Sequence, residues 1–299
     1  MTVPSRPPGR DLVVLQSSQA PLPTTNPYIV MLGRSLAATP GVRPLHFSWR
    51  TALLGRYDVF HVHWPEILVD GHSPLKKAVR QAFTVALVAK LALRRIPIVR
   101  TVHNLERPQG ISRRETLLLG LMERMTTLRV RVNPITDIPA DRPHATILHG
   151  HYRDWFRDEA RSDQVPGRLG YVGLVRRYKG VEQLVASFRG AGDAGGDLSL
   201  RIGGKPSTEE LADTVRALAA GDDRIRLDLH FLSDAELVEI VTSSELVVLP
   251  YRFMHNSGGA LAALSLDRPV LVPDNAVNLA LAEEAGPGWI HLFDGDLTP

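Results

Sequence analysis

The sequence predicts an α/β protein made of two Rossmann-like, doubly wound domains facing a central cleft. Three observations support this. Short apolar runs rich in β-branched residues alternate with segments of helical spacing along the whole chain. The alternation runs in two series, separated by an irregular polar stretch from Gly150 to Gly167. At about 150 residues per domain, the length of 299 residues points to two domains, tightly fitted, or to one large α/β unit. We therefore expect one domain over residues 1–150 and another over 151–299, with the stretch after Gly150 as linker. Parallel strands joined by helices place ligands at the strands' carboxyl ends.

Asp11 to Gln16 reads as a buried strand and Tyr28 to Ala38 as a helix. Tyr57 to Val62 is a strand, Lys76 to Arg95 a long helix stopped by Pro97, and Ile98 to Val102 a strand. Ser112 and Glu115 form a capping box that opens a helix to Arg124. Arg129 to Val132 and Thr146 to Leu148 are short strands. In the second series the strands are Arg168 to Val172, Leu198 to Ile202, Ile225 to Leu229, Leu246 to Pro250 and Val270 to Pro273. Helices run from Val181 to Arg189, Ser207 to Ala220, Asp234 to Ser243 and Gly259 to Leu266. Ser207 with Glu210, and Ser233 with Glu236, read as further capping boxes, and Gly221 as a helix stop.

Composition excludes several functions. There is no cysteine, hence no disulfide, iron–sulfur cluster or thiol nucleophile. Lys and Arg number 35 against 32 acids, a balance that argues against nucleic acid as partner. No apolar stretch approaches the roughly 20 residues of a membrane span, so a cytoplasmic protein is expected. Charge is uneven, however. Lys76 to Arg131 holds thirteen Lys or Arg and three acids, 13 − 3 = +10, a stretch suited to an anionic bilayer surface or to an ordinary solvated face. The six residues after Phe293 are too few for a closing helix, so a minimal tail or a cut chain is expected.

No GxGxxG follows the first strand, and neither HExxH nor GxSxG occurs. Two loops of the second half suit phosphate. Gly173 to Gly180 lies between a strand and a helix and carries Arg176, Arg177 and Lys179. Tyr251 to Gly259 ends in Ser257, Gly258 and Gly259, small residues with free amides at a helix start. Two such loops in one domain point to a diphosphate. In the first half, strand ends carry His61, His63 and Glu66, then His103 and Asn104. Histidines two apart share a strand face and could ligate a metal or serve structure. His149 and His151 form another pair, as hinge or ligand contacts.

The runs Gly173 to Phe188 and Leu232 to Arg252 resemble the donor-binding domain of GT-B glycosyltransferases. His61 to Glu66 and Arg100 to Asn104 resemble the acceptor domain. Together with Thr24 to Tyr28, His149 to Tyr152 and Tyr251 to Pro273, the chain is most similar to bacterial exopolysaccharide enzymes. Among these it looks like the gum-type β-mannosyltransferases, which use GDP-mannose and a polyprenyl-diphosphate-linked oligosaccharide. The resemblance implies that Arg176 and Lys179 hold the donor diphosphate and that Ser257 and Gly258 match its phosphate loop; Tyr251, Asn256 and Gly259 are expected to bind the donor with them. It also implies that His103 reaches the donor from the acceptor domain. Many retaining relatives carry two glutamates eight apart here, whereas Gly259 to Ser265 holds no carboxylate, which favours inversion. An inverting enzyme needs a general base, for which Glu66 is the first choice and Asp70 and Glu106 are alternatives. No metal or other cofactor is expected. A metal-dependent hydrolase using His61, His63, His103 and Asp274, or a non-catalytic relative that binds nucleotide sugars, are the competing readings.

Overall fold

The computed structural model describes residues 9–103, 110–192 and 197–298. Asn104 and Glu106 lie outside these. The chain divides into two compact units, Met1–His149 and Gly150–Pro299.

In the first unit, β1 (Leu12–Gln16), β2 (Val42–Leu45), β3 (Val59–Val62), β4 (Ile98–Val102), β5 (Thr126–Arg131) and β6 (His144–Thr146) form one parallel sheet. Its order is β2-β1-β3-β4-β5-β6, so the strand order reverses between β1 and β3. The helices are α1 (Pro27–Ala38), α2 (Trp49–Leu54), α3 (Pro74–Leu93) and α4 (Arg113–Met125). Val13, Leu15, Phe60, Val62 and Ile98 of the sheet meet Leu87 and Leu91 of α3 and Met122 of α4 in one core. Each such side chain contributes about 1.5–3 kcal/mol by leaving water. Ser73 caps α3 ahead of Pro74, and the Ser112–Glu115 capping box opens α4 as expected. Two elements go beyond the sequence reading. Strand β2 is an edge strand containing Pro44, and α2 has only six residues, too few to show a period.

In the second unit, β7 (Arg168–Val172), β8 (Ser199–Gly203), β9 (Ile225–Asp228), β10 (Leu246–Val248), β11 (Val270–Pro273) and β12 (Ile290–Phe293) form a second parallel sheet, ordered β12-β11-β10-β7-β8-β9. Here the chain switches sides between β7 and β10. The helices are α5 (Val181–Gly190), α6 (Glu209–Ala219), α7 (Asp234–Ser243), α8 (Gly258–Ser265) and α9 (Ala276–Ala285).

Three expectations need correction. Helix α6 is capped by Thr208, whose hydroxyl accepts from Leu211 N, and not by a Ser207–Glu210 box. Ser207 N instead donates to Val175 O, which holds Ser207 in the bridge ahead of the helix. The stretch from Gly150 to Gly167 is no free linker. It buries Tyr152 and Phe156, and its backbone bonds to Ser265, Thr242 and Ser243 tie it to the second unit. Helix α9 and strand β12 were absent from the sequence reading. In α9 apolar residues occur all round, and only Asn278 is buried.

Candidate active site

The first unit gathers its candidate residues at the carboxyl ends of β1, β3 and β4, the point where its topology reverses. Gln16 ends β1, His61 lies in β3 with His63 just past it, and His103 follows β4. His61 Nε2 meets Thr101 Oγ1 at 2.9 Å. His63 Nδ1 lies 3.2 Å from His103 Nε2, and His63 Nε2 lies 3.1 Å from Gln16 Oε1. Trp64 stacks on the His103 ring with centroids 4.4 Å apart. Tyr28, at the start of α1, meets the rings of His63, His103 and His149.

Burial lowers the pKa of all three histidines, His61 to about 4, His63 to about 2 and His103 to about 3. For His63, the charges of His61 and His103 add to burial; for His103, those of His149, His61 and Arg100 do. All three rings are thus neutral at neutral pH. The ring nitrogens of His61 and His63 face Thr101, Gln16 and His103. Among the described residues no three His, Asp or Glu side chains gather as a metal site. Asp274, the carboxylate of the hydrolase reading, belongs to the other unit.

Glu66 sits on a 3-10 turn, Pro65–Leu68, directly after the histidine strand. It is half-buried, and its carboxylate has no hydrogen-bond or ion-pair partner among the described residues. Asp70 is exposed and caps Gly71 N. His149 closes the first unit, whereas His151 is exposed in the second and accepts from Arg153 N.

In the second unit the two predicted phosphate loops flank the β7/β10 switch point. A 3-10 turn, Arg177–Lys179, leads through Gly180 into α5. Gly180 has φ +67° and presses against Pro250 O, where no Cβ fits. This contact brings the loop after β7 against the end of β10. Lys179 Nζ donates to Tyr251 Oη at 3.1 Å and sits 4.7 Å from that ring's centroid. Burial, with Arg176 nearby, lowers the Lys179 pKa to about 8. Tyr251 is 6% exposed, and burial pushes its phenol up. Ser257 caps α8 by accepting from Ala260 N. The amides of Gly258 and Gly259 have no acceptor among the described residues. Asn256 is half-buried just before the cap. Arg176 is exposed with no partner among the described residues, while Arg177 pairs with Glu210 and Glu182.

The structure therefore joins Lys179, Tyr251, Ser257, Gly258 and Gly259 into one cationic, amide-rich corner. Sequence reasoning missed Gln16 as a neighbour of His63, and Tyr28 and Trp64 as neighbours of His103. It also missed a cavity of about 520 Å³ at the ends of β10, β11 and β12, lined in part by Gln183, Tyr251, Arg252, Asp274 and Asp296. The position of Gln16 and Asp274 at strand carboxyl ends was the available signal.

No family model matches the chain. It is 45% identical over 286 residues to a GDP-mannose:glycolipid 4-β-D-mannosyltransferase of Xanthomonas campestris pathovar campestris, covering 95% of this chain and 80% of that protein. A second protein of that name and species is 44% identical over the same span. Among solved structures, a glycosyltransferase from Rickettsia africae gives a TM-score of 0.66 at 12% identity, over 96% of this chain and 85% of that one. Anabaena HepE in complex with UDP and glucose gives 0.62 at 13% identity, over 93% and 85%. Sucrose-phosphate synthase from Thermosynechococcus elongatus gives 0.61 at 14% identity, over 95% and 86%. These distant likenesses share the GT-B fold.

Proposed function

Because the chain belongs to the family of the GDP-mannose:glycolipid 4-β-mannosyltransferases, we propose that it moves mannose from GDP-mannose to the 4-hydroxyl of a lipid-linked oligosaccharide with inversion. It is a glycosyltransferase of GT-B fold. The observation that carries the reading is the hydrogen bond from Lys179 Nζ to Tyr251 Oη, which joins the two loops of the switch point.

The donor's anomeric bond is α, so a β product requires attack from the opposite face. The acceptor oxygen forms a bond to the anomeric carbon while that carbon's bond to phosphate oxygen breaks. The electron pair leaves with GDP, and the acceptor proton passes to Glu66 as general base. Charge growing on the diphosphate is met by Lys179, Arg176 and the amides of Gly258 and Gly259. Tyr251 and Ser257 hold Lys179 and the helix start in place, and Asn256 offers a further polar contact. His103 contacts the donor as a neutral ring. With this much positive potential supplied by the chain, the transfer is proposed to need no metal.

The acceptor's lipid gives the protein a reason to dock on a membrane surface in building an exopolysaccharide repeat. No described helix is long and apolar enough to cross a membrane. The basic stretch is partly neutralised internally, since Lys77 pairs with Glu115, and Arg100 and Arg129 pair with Glu123. Lys76, Arg113, Arg114 and Arg124 remain exposed. Beside them on α3 and α4, Leu75, Val79, Leu117 and Leu121 are also exposed at helical spacing. Exposed apolar residues ringed by cations fit an anionic bilayer on the cytoplasmic side.

A thermal-shift panel of GDP, UDP and their sugars tests the donor. A ligand at a hundred times its Kd adds about 2.7 kcal/mol. GDP and GDP-mannose are expected to shift the melt most; a larger shift with UDP-sugars would refute the donor assignment.

A further inference from the structure

His103 is held by more than packing. Three neighbouring strands bring Gln16, His63 and His103 into one hydrogen-bonded row, with Gln16 4%, His63 2% and His103 8% exposed. With the Gln16 amide oriented so that Oε1 faces His63, that oxygen accepts and the His63 proton lies on Nε2. A neutral His63 then presents a bare Nδ1, and His103 Nε2, 3.2 Å away, must donate to it. The proton of His103 is thereby fixed on Nε2, which leaves Nδ1 as its basic nitrogen. Stacking of Trp64 holds the ring plane.

We propose that Gln16 and His63 form a positioning relay that sets the tautomer and orientation of His103 for sugar transfer. The proposal rests on the reading of His103 as a donor contact.

Two further observations favour this over plain packing. Gln16 Nε2 is buried without a partner among the described residues, a desolvation cost that an apolar side chain would avoid. His63 is also kept neutral, the state in which its Nδ1 can accept. The other titratable or charged groups acting on the row are His61 beside His63 on the same strand, Tyr28 from α1, and His149 and Arg100, which act on His103.

The test uses the full chain labelled with ¹⁵N-histidine. His63 and His103 are both expected as Nε2–H tautomers; His103 protonated at Nδ1 would overturn the relay without any variant. Gln16→Glu places a carboxylate against His63 and stabilises its imidazolium. His63 then donates from both nitrogens, and His103 must accept through Nε2 and move its proton to Nδ1. We expect kcat to fall about 10- to 100-fold, as for partners that orient metal-bound histidines, with KM for donor and GDP affinity unchanged. Turnover should recover at alkaline pH, where His63 becomes neutral again. Gln16→Met should lose activity without that pH limb. Gln16→Met turning over within twofold of the parent at every pH, while His103→Ala is impaired, would refute the relay alone. His103→Ala with parental turnover would refute the role of His103, and the relay with it.

Discussion

Lys179→Met removes the one cation that, among the described residues, is held under partial burial against Tyr251. Lowering its pKa from 10.5 to about 8 corresponds to roughly 3 kcal/mol against the charged form in the empty protein. A diphosphate brought beside the ammonium relieves that cost. At 4 Å and an effective dielectric constant near 20 the bare attraction is about 4 kcal/mol, and the net value of a charged hydrogen bond is about 1.5–3 kcal/mol. Loss of the amine should therefore weaken GDP binding about 10- to 150-fold. Titration calorimetry at pH 7 measures this directly. The pH dependence is a second check. The free protein loses the Lys179 charge as pH rises through about 8, so parental affinity for GDP should fall above that pH. The Lys179→Met affinity should be flat across the same range. The fold should persist, since the variant removes a desolvated charge and keeps the stem. GDP affinity within twofold of the parent at pH 7 would refute the diphosphate role of this corner.

Other outcomes follow from the same structure. Glu66→Gln should abolish turnover while leaving GDP binding intact; near-normal turnover removes Glu66 from the role of base. The neutral histidines make the first unit sensitive to acid. Their folded pKa values lie below the unfolded one, so protons bind the unfolded chain first and stability is lost as pH falls from about 6.5. His63 and His103 should each contribute a loss of roughly 2 kcal/mol at pH 5. Thermal melts at pH 7.5 and 5 should differ accordingly, and an unchanged melt would contradict the assignment of neutral, desolvated rings. Arg113→Ser combined with Arg114→Ser should weaken binding to anionic vesicles about 30-fold, at about 1 kcal/mol per basic side chain; parental cosedimentation would exclude this face.

Much of this architecture was legible in the pattern of residues. Val13, Val14 and Leu15 of β1, and Leu87, Val88 and Leu91 of α3, announce a buried strand and an amphipathic helix by spacing alone. The capping boxes at Ser112 and Ser233 marked helix starts to the residue. The box at Ser207 misled because the same four-residue pattern also fits a chain whose serine backbone is already engaged by Val175. Strands β2 and β12 lie at sheet edges, where half-exposed residues weaken the apolar run. In the candidate site, Arg176, Lys179 and the Ser257 turn could be found because each belongs to a contiguous loop. Gln16, Tyr28 and Trp64 are 48 residues apart at their extremes and meet only through the order β1-β3-β4. No local window of sequence carries that information.

Transfer of mannose with inversion is read from the anomeric configuration of the product. The purified chain is incubated with GDP-mannose and a polyprenyl-diphosphate-linked oligosaccharide, and the new linkage is read by NMR from the anomeric carbon–hydrogen coupling. One β-mannosyl residue on a 4-hydroxyl and stoichiometric GDP are expected. An α-linked product, or GDP released without a mannosylated lipid, would contradict inverting transfer.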